Sequence, residues 1–232
     1  MLLALFGLLA QTEKPTGFYL KEVVKIDYPG SEAIVLENHT WVGKNRVRTD
    51  RLDLNTTIIY DLDIHIVYVI DHNTKTYQIS RAPVPKDESR LSLIGLAPIK
   101  EGTLERRSPI AEKTGNRKKI GSFVCEEYRL LYPPEYGMET TIWTAYHHLM
   151  TKSYVRKIWY SAIGTAPPGD VKYLINEILR AIRGVPVQTI TSVELEGHKI
   201  KTTSTLTQIE PYYEDEMQLM SIPSGYQMKR TL

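Results

Sequence analysis

Ile64-His65-Ile66-Val67-Tyr68-Val69-Ile70-Asp71-His72-Asn73-Thr74-Lys75-Thr76-Tyr77-Gln78-Ile79 (residues 64–79) is the stretch that decides the fold class. Ile64, Ile66, Tyr68 and Ile70 alternate along it, and β-branched and aromatic residues dominate. A period of two with this composition predicts a half-buried strand. Asp71-His72-Asn73-Thr74 then supplies turn chemistry, because Asp and Asn side chains bond their own backbone. Residues 75–79 return as the second arm of a hairpin.

The same reading extends outward in both directions. Residues 18–27 and 31–36 are β-rich and flank the turn Tyr28-Pro29-Gly30. Residues 41–51 read as one strand, with Arg46, Arg48 and Asp50 on one face and Val47 and Thr49 on the other. Residues 56–60 form a further short strand. After the breaks at Pro83, Pro85, Gly95 and Pro98, a second β block spans residues 118–131 as one bent strand or two. Residues 138–145 follow, with Ile142 and Thr144 opposed to Trp143 and Ala145. Residues 187–195 and 199–209 make another hairpin around Glu196-Gly197-His198, and residues 212–229 end in a short strand and turn.

One segment breaks the pattern. Val171, Leu174, Ile175, Ile178, Leu179 and Ile182 recur at 3,4 spacing, which predicts a helix over residues 171–183 with one apolar stripe. Asp170 suits its N-cap, and Gly184 followed by Pro186 stops it. Residues 146–160 fit neither period. The expected fold is therefore mostly β (α+β): a curved antiparallel sheet or incomplete barrel of about ten strands, with helices packed on its concave face. Nothing between residues 18 and 229 reads as a linker, so residues 11–232 are expected to form a single domain.

Composition narrows the function classes. With 29 Lys and Arg against 27 Asp and Glu the net charge is +2, too weak for a nucleic-acid partner. The lone Cys125 allows no internal disulfide and excludes cysteine-rich metal sites, so a buried filler role is expected for it. Tyrosine outnumbers the other aromatics, 15 against 3 Phe and 3 Trp, which suits rings half-buried on a sheet. Met1–Ala10 reads MLLALFGLLA. Its apolar run has the length of a signal h-region and is too short to span a membrane. Residues 1–10 are thus read as a signal segment and the protein as periplasmic or otherwise exported; a core strand or helix is the competing reading, since no positive n-region precedes the run.

Chemistry-bearing clusters are sparse. Asp61, Asp63 and His65 share a face at i, i+2 spacing but sit where a hairpin begins, a place for turn-capping carboxylates. His147-His148 are adjacent and lack the i, i+4 spacing of a helical zinc pair. Glu126, Glu127 and Glu139 lie on neighbouring strands, and the carboxylates of Glu210, Glu214, Asp215 and Glu216 read as surface. No nucleophile elbow, phosphate loop, dinucleotide fingerprint or zincin motif occurs. No metal or cofactor is expected, and enzymatic activity is left open. Arg46 and Arg48, on one strand face, are candidates for meeting an anionic head group.

The order of motifs resembles a known family. Lys44-Asn45-Arg46-Val47-Arg48-Thr49-Asp50, Asp71-His72-Asn73-Thr74-Lys75-Thr76-Tyr77, Ile120-Gly121-Ser122-Phe123-Val124-Cys125-Glu126-Glu127-Tyr128, Met138-Glu139-Thr140-Thr141-Ile142-Trp143-Thr144-Ala145, Gly184-Val185-Pro186-Val187 and Ile222-Pro223-Ser224-Gly225-Tyr226 follow one another in sequence. Together they are similar to the bacterial envelope proteins of the DUF4412 type and, more remotely, to the lipoprotein-carrier fold of LolA and LolB. The resemblance implies an envelope location and a curved sheet whose helix-covered side holds acyl chains. It transfers no activity. The first expectation is accordingly a non-enzymatic protein that binds an apolar ligand or lipid between the sheet and helix 171–183, lined by Ile66, Tyr68, Trp143, Ile175 and Leu179, with Arg46 and Arg48 as further ligand contacts. The alternatives are a structural or protein-interaction role with an envelope protein as partner, and an enzyme with a carboxylate or histidine site.

Overall fold

The computed structural model describes residues 14–64, 66–81, 111–131, 138–147, 150–163, 180–195 and 197–229. They form a mostly-β fold built on one 12-stranded sheet. The strands are β1 (Gly17–Asp27), β2 (Ile34–Val42), β3 (Arg46–Arg51), β4 (Thr56–Asp61), β5 (Ile66–Asp71), β6 (Thr76–Arg81), β7 (Ala111–Ile120), β8 (Phe123–Leu130), β9 (Met138–Ala145), β10 (Val185–Leu195), β11 (His198–Tyr212) and β12 (Gln227–Met228). Their spatial order is β12-β6-β5-β4-β3-β2-β1-β11-β10-β9-β8-β7, so the sheet has two ends. It is not closed into a barrel and is not strongly curled. Two meanders, β1 to β6 and β7 to β11, meet where β1 pairs antiparallel with β11, Phe18 opposite Pro211 and Ile26 opposite Thr202.

Most expected strands stand where period two puts them, and two were longer in the reading than in the molecule. Residues 41–51 are not one strand. The chain reverses between Val42 and Arg46, where the Gly43 amide donates to the Arg46 carbonyl at 2.9 Å. Val42 and Val47 are partners across the loop and both enter the main core, so the alternation changes phase at the turn, and one strand drawn through residues 41–51 cannot keep both on that face. Ile64 likewise belongs to the turn before β5, and Asp61 takes the amides of Asp63 and Ile64 at 3.3 Å each. Asp71 does cap the β5–β6 turn, accepting from the amides of Asn73 (2.8 Å) and Thr74 (3.2 Å). Residues 118–131 resolve into two strands around Gly121, whose φ of 56° is glycine territory. One pair departs from the antiparallel rule: β12 runs parallel to β6, Gln227 beside Thr76.

Alternation sorts the side chains onto two faces. The main core lies on one face, where Phe18, Leu20, Val42, Val47, Tyr60, Val67, Tyr128, Ile142 and Leu206 are buried together. Helix α1 (Lys152–Ile163) packs there. Tyr154 meets Phe18 edge-on at 4.7 Å, Val155 is buried, and Lys157 Nζ donates to the carbonyls of Gly43 (3.0 Å) and Lys44 (2.5 Å). Among the described residues α1 is the one helix longer than a single turn. Residues 171–179 of the expected helix lie outside the described residues; residues 180 and 181 are helical, and Ile182, the end of its apolar stripe, is buried in the α1-side core. The segments 1–10 and 86–96 also lie outside.

The opposite face carries two smaller clusters. Cys125, Trp143, Ala145 and Val187 are buried together at the β7–β10 end. Burial pushes the Cys125 thiol up, which suits a packing role and not a nucleophile. At the β2–β6 end, Ile59, Ile70, Tyr212 and Met220 form a cluster roofed by the C-terminal segment. That segment leaves β11 at mid-sheet, forms the one-turn helix α2 (Glu216–Leu219) and crosses to the sheet's edge as β12.

Glu127 is a buried carboxylate, 8% exposed, and it stabilises a register shift between β7 and β8. Thr114 Oγ1 (2.7 Å) and Asn116 Nδ2 (2.6 Å) both donate to its Oε2. The Thr114 bond, with that of Asn116, holds its carboxyl below the usual carboxylate range. A lowered folded pKa means the stabilisation is complete above the unfolded value, about 4.3, and is lost as pH falls through the folded one. Urea midpoints should therefore drop below about pH 4.3, and Glu127→Gln should flatten that limb. An unchanged acid limb in the variant would rule out this assignment.

Candidate functional site

A half-open recess of about 170 Å³ lies on the face opposite α1, between β3–β5 and the C-terminal segment. Ile59 and Tyr68 floor it, Arg46 stands at one side, and Met220, Ser221 and Ile222 form the wall. Its position follows from register. Trp41, Arg48, Ile59 and Tyr68 stand opposite one another across β2, β3, β4 and β5, and Arg46, Asp61 and Ile66 form the neighbouring row. Apolar side chains from β4 and β5 thus face a segment whose own Met220 is 1% exposed.

The polar groups around the recess are committed to one another. Arg46 Nε donates to Asp61 Oδ2 at 2.9 Å, with Asp61 only 5% exposed, and its Nη1 reaches the Met220 carbonyl at 3.3 Å. Arg48 grips Asp50 with two bonds, 2.8 and 3.0 Å, and its Nη1 donates to the Leu219 carbonyl at 2.7 Å. Its guanidinium also lies 5.5 Å from the centre of the Trp41 ring. The arginines therefore cap the last carbonyls of α2, which a one-turn helix leaves without internal partners. Two guanidinia beside two carboxylates leave the row electrically balanced.

A second network anchors the far end of the segment. Tyr226 Oη lies 2.7 Å from His72 Nδ1, and His72 Nε2 lies 2.8 Å from Thr57 Oγ1, which donates to Asp50 Oδ1 at 2.6 Å. Because the Thr57 proton goes to Asp50, Thr57 accepts from His72 Nε2–H, which leaves Nδ1 facing the Tyr226 hydroxyl. Next to this lies a chain of Tyr19 Oη, His39 Nδ1 (3.1 Å) and, from His39 Nε2, Glu37 Oε1 (2.7 Å). The His39 bond, then that of Lys21, holds the Glu37 carboxyl below its usual range, and burial raises the Tyr19 phenol. These groups lie on the open sheet surface.

The expected site residues divide between places. Arg46, Arg48, Ile66 and Tyr68 stand together on β3 and β5. Trp143 stands on β9, seven strands away, roughly 34 Å along the sheet at ~4.8 Å per strand. There it lies under Lys118 Nζ at 4.0 Å. Ile175 and Leu179 fall outside the described residues. Sequence reasoning placed Ile59 in the short strand 56–60 and Ile222 in the C-terminal strand and turn but assigned neither to a site, nor Met220 or Ser221, and nothing local says that residue 220 returns to strand β4. His65 and His148 fall outside the described residues. Asp61 serves Arg46 and the turn, and Glu126 binds Lys113 (2.6 Å) and Arg117 (2.7 Å). Among the described residues no three His, Cys, Asp or Glu side chains gather as metal ligands, and no helix is long and apolar enough to cross a membrane.

No family model and no characterised protein matches the chain. Solved structures align with most of the chain at low similarity. An uncharacterized conserved protein from Thermus thermophilus is 10% identical with a TM-score of 0.46, over 93% of this chain and 91% of that one. PNGF-II is 8% identical with a TM-score of 0.40, over 91% of this chain and 30% of that one. A LolA superfamily protein from Nitrosomonas europaea is 7% identical with a TM-score of 0.39, over 90% and 91%. A likeness at this level carries no functional inference.

Proposed function

We propose that the protein is a non-enzymatic envelope protein that binds an apolar ligand, the end of a lipid chain, in the recess between β4–β5 and the C-terminal segment. One observation carries the reading: Ile59, Tyr68, Met220 and Ile222 converge on a half-open space of about 170 Å³, with Arg46 and Ser221 as its polar lining. That volume is below the ~300 Å³ at which pockets for whole small molecules begin, so the space suits a chain end. The balanced pairs Arg46–Asp61 and Arg48–Asp50 favour an uncharged tail over an anionic head. Export, and residues 11–232 as one domain, belong to the same proposal and rest on the apolar run at residues 2–9 and on the order of motifs.

Native mass spectrometry of the gently ionised protein, together with titration of a fluorescent fatty acid, tests this. Saturable binding is expected. Tyr68→Ala and Ile222→Ser should each weaken it about tenfold, equivalent to about 1.4 kcal/mol, while Trp143→Ala should leave it alone. No saturable binding and no co-purified lipid would exclude the reading. A second reading has its own support. Ile34, Val35, Leu52 and Leu54 are all exposed at the end of the β2–β4 meander where β2 begins and β3 turns into β4, an apolar group suited to an envelope-protein partner. Cross-linking that captures a partner through this end, in the absence of lipid binding, would favour it.

A further inference from the structure

We infer that residues 213–229 form a displaceable strap that gates the recess, an inference that rests on the ligand-binding reading. Three of the six lining residues, Met220, Ser221 and Ile222, belong to this segment. The recess is therefore bounded only while the segment is down, and its lifting uncovers Trp41, Ile59, Tyr68, Ile70 and Tyr77 as one apolar face. The chain enters the segment through Tyr213, Glu214 and Asp215, all exposed.

The attachments are of a kind that release cheaply. The strap is held by guanidinium bonds to the Leu219 and Met220 carbonyls, by Tyr226 on His72, and by a two-residue ladder in which the Gln227 amide donates to Lys75 O (3.1 Å) and the Lys229 amide to Tyr77 O (2.8 Å). Both arginines and His72 beneath keep a partner when the strap lifts. Arg46 retains Asp61, Arg48 retains Asp50, and His72 retains Thr57. Opening thus orphans no buried charge, the step that would otherwise make it prohibitive. What is lost is hydrogen bonding to the strap's carbonyls, amides and Tyr226 hydroxyl, which water replaces, and the burial of Leu219, Met220, Ile222 and Tyr226. Such segments open locally well below the cost of global unfolding.

The test locks the strap with a disulfide in the doubly substituted protein Thr76→Cys, Gln227→Cys, since these residues are direct partners across β6 and β12. Cys125 is buried and does not compete. In the reduced protein the amides of Leu219, Gln227 and Lys229 should exchange hydrogen at least 100-fold faster than those of β4 and β5. Oxidation should slow them at least tenfold, and should slow uptake and release of the fluorescent fatty acid by a similar factor, reversibly with reductant. Strap amides exchanging at the rate of β4 and β5, or unaltered by the lock, would overturn the inference. Fast strap exchange without any fatty-acid binding upholds the strap and overturns the ligand reading instead.

Discussion

Gly184→Ala is expected to lower stability by about 3–4 kcal/mol, the sum of an overpacking cost and a backbone cost. Gly184 opens β10 beside the end of β9, with φ at 95°. A Cβ there would overlap the Ala145 carbonyl oxygen and stand 2.8 Å from its carbon. Both obstacles are backbone, so no side chain can swing aside. Thr144 Oγ1, which donates to the Arg183 carbonyl at 2.7 Å, ties the same corner and resists relaxation. Gly30→Ala provides the control: its φ is 77°, but nothing lies within 4 Å of the added atom. It should lose only the backbone part, about 1–2 kcal/mol. Urea midpoints of the two variants decide the matter, and equal losses would show that crowding at Gly184 contributes nothing.

Arg46→Ala should cost about 2–3 kcal/mol, because it leaves the Asp61 carboxylate buried without its counter-charge. The full penalty for breaking a buried pair is reduced here. The Arg46 side chain is 22% exposed, and Asp61 also accepts two backbone amides. Replacing both partners, Arg46→Met with Asp61→Leu, should recover part of the loss, since no charge is then stranded and only the Asp63 and Ile64 amides lose their acceptor. A double variant as unstable as the two single losses added together would mean that the pair is not coupled. Loosening of the strap is expected in both, as the Met220 carbonyl loses its donor.

The strands were legible because burial of one face imposes period two on side chains, and burial of both, as along Ile66–Ile70, leaves a short run of β-branched and aromatic residues. The turns were less legible. The reversal at Gly43-Lys44-Asn45 lies between Trp41-Val42 and Arg46-Val47, and only a change of phase, Val42 and Val47 sharing the core face, marks it. The site was legible only on one side. Tyr68 and Arg46 could be placed on sheet faces from local pattern, yet the wall they meet comes from Met220, 152 and 174 positions further on respectively. Long-range docking of a short segment leaves no periodic trace, because α2 spans one turn and β12 two residues. The distance between Tyr68 and Trp143 depended in turn on strand order, which alternation does not encode.

The seam between β1 and β11 has a consequence for how the chain is made. Phe18 must pair with Pro211, so one of the first strands to leave the ribosome waits for one of the last. Until then β1 can zip to β2 on one flank while the main-chain groups that alternate residues direct to the other flank stay without a strand partner. Such a flank is a template for recruiting foreign strands. Biogenesis is therefore most vulnerable before translation passes residue 212, and a chaperone that shields residues 17–27 during that interval should raise the yield more than one acting on either meander.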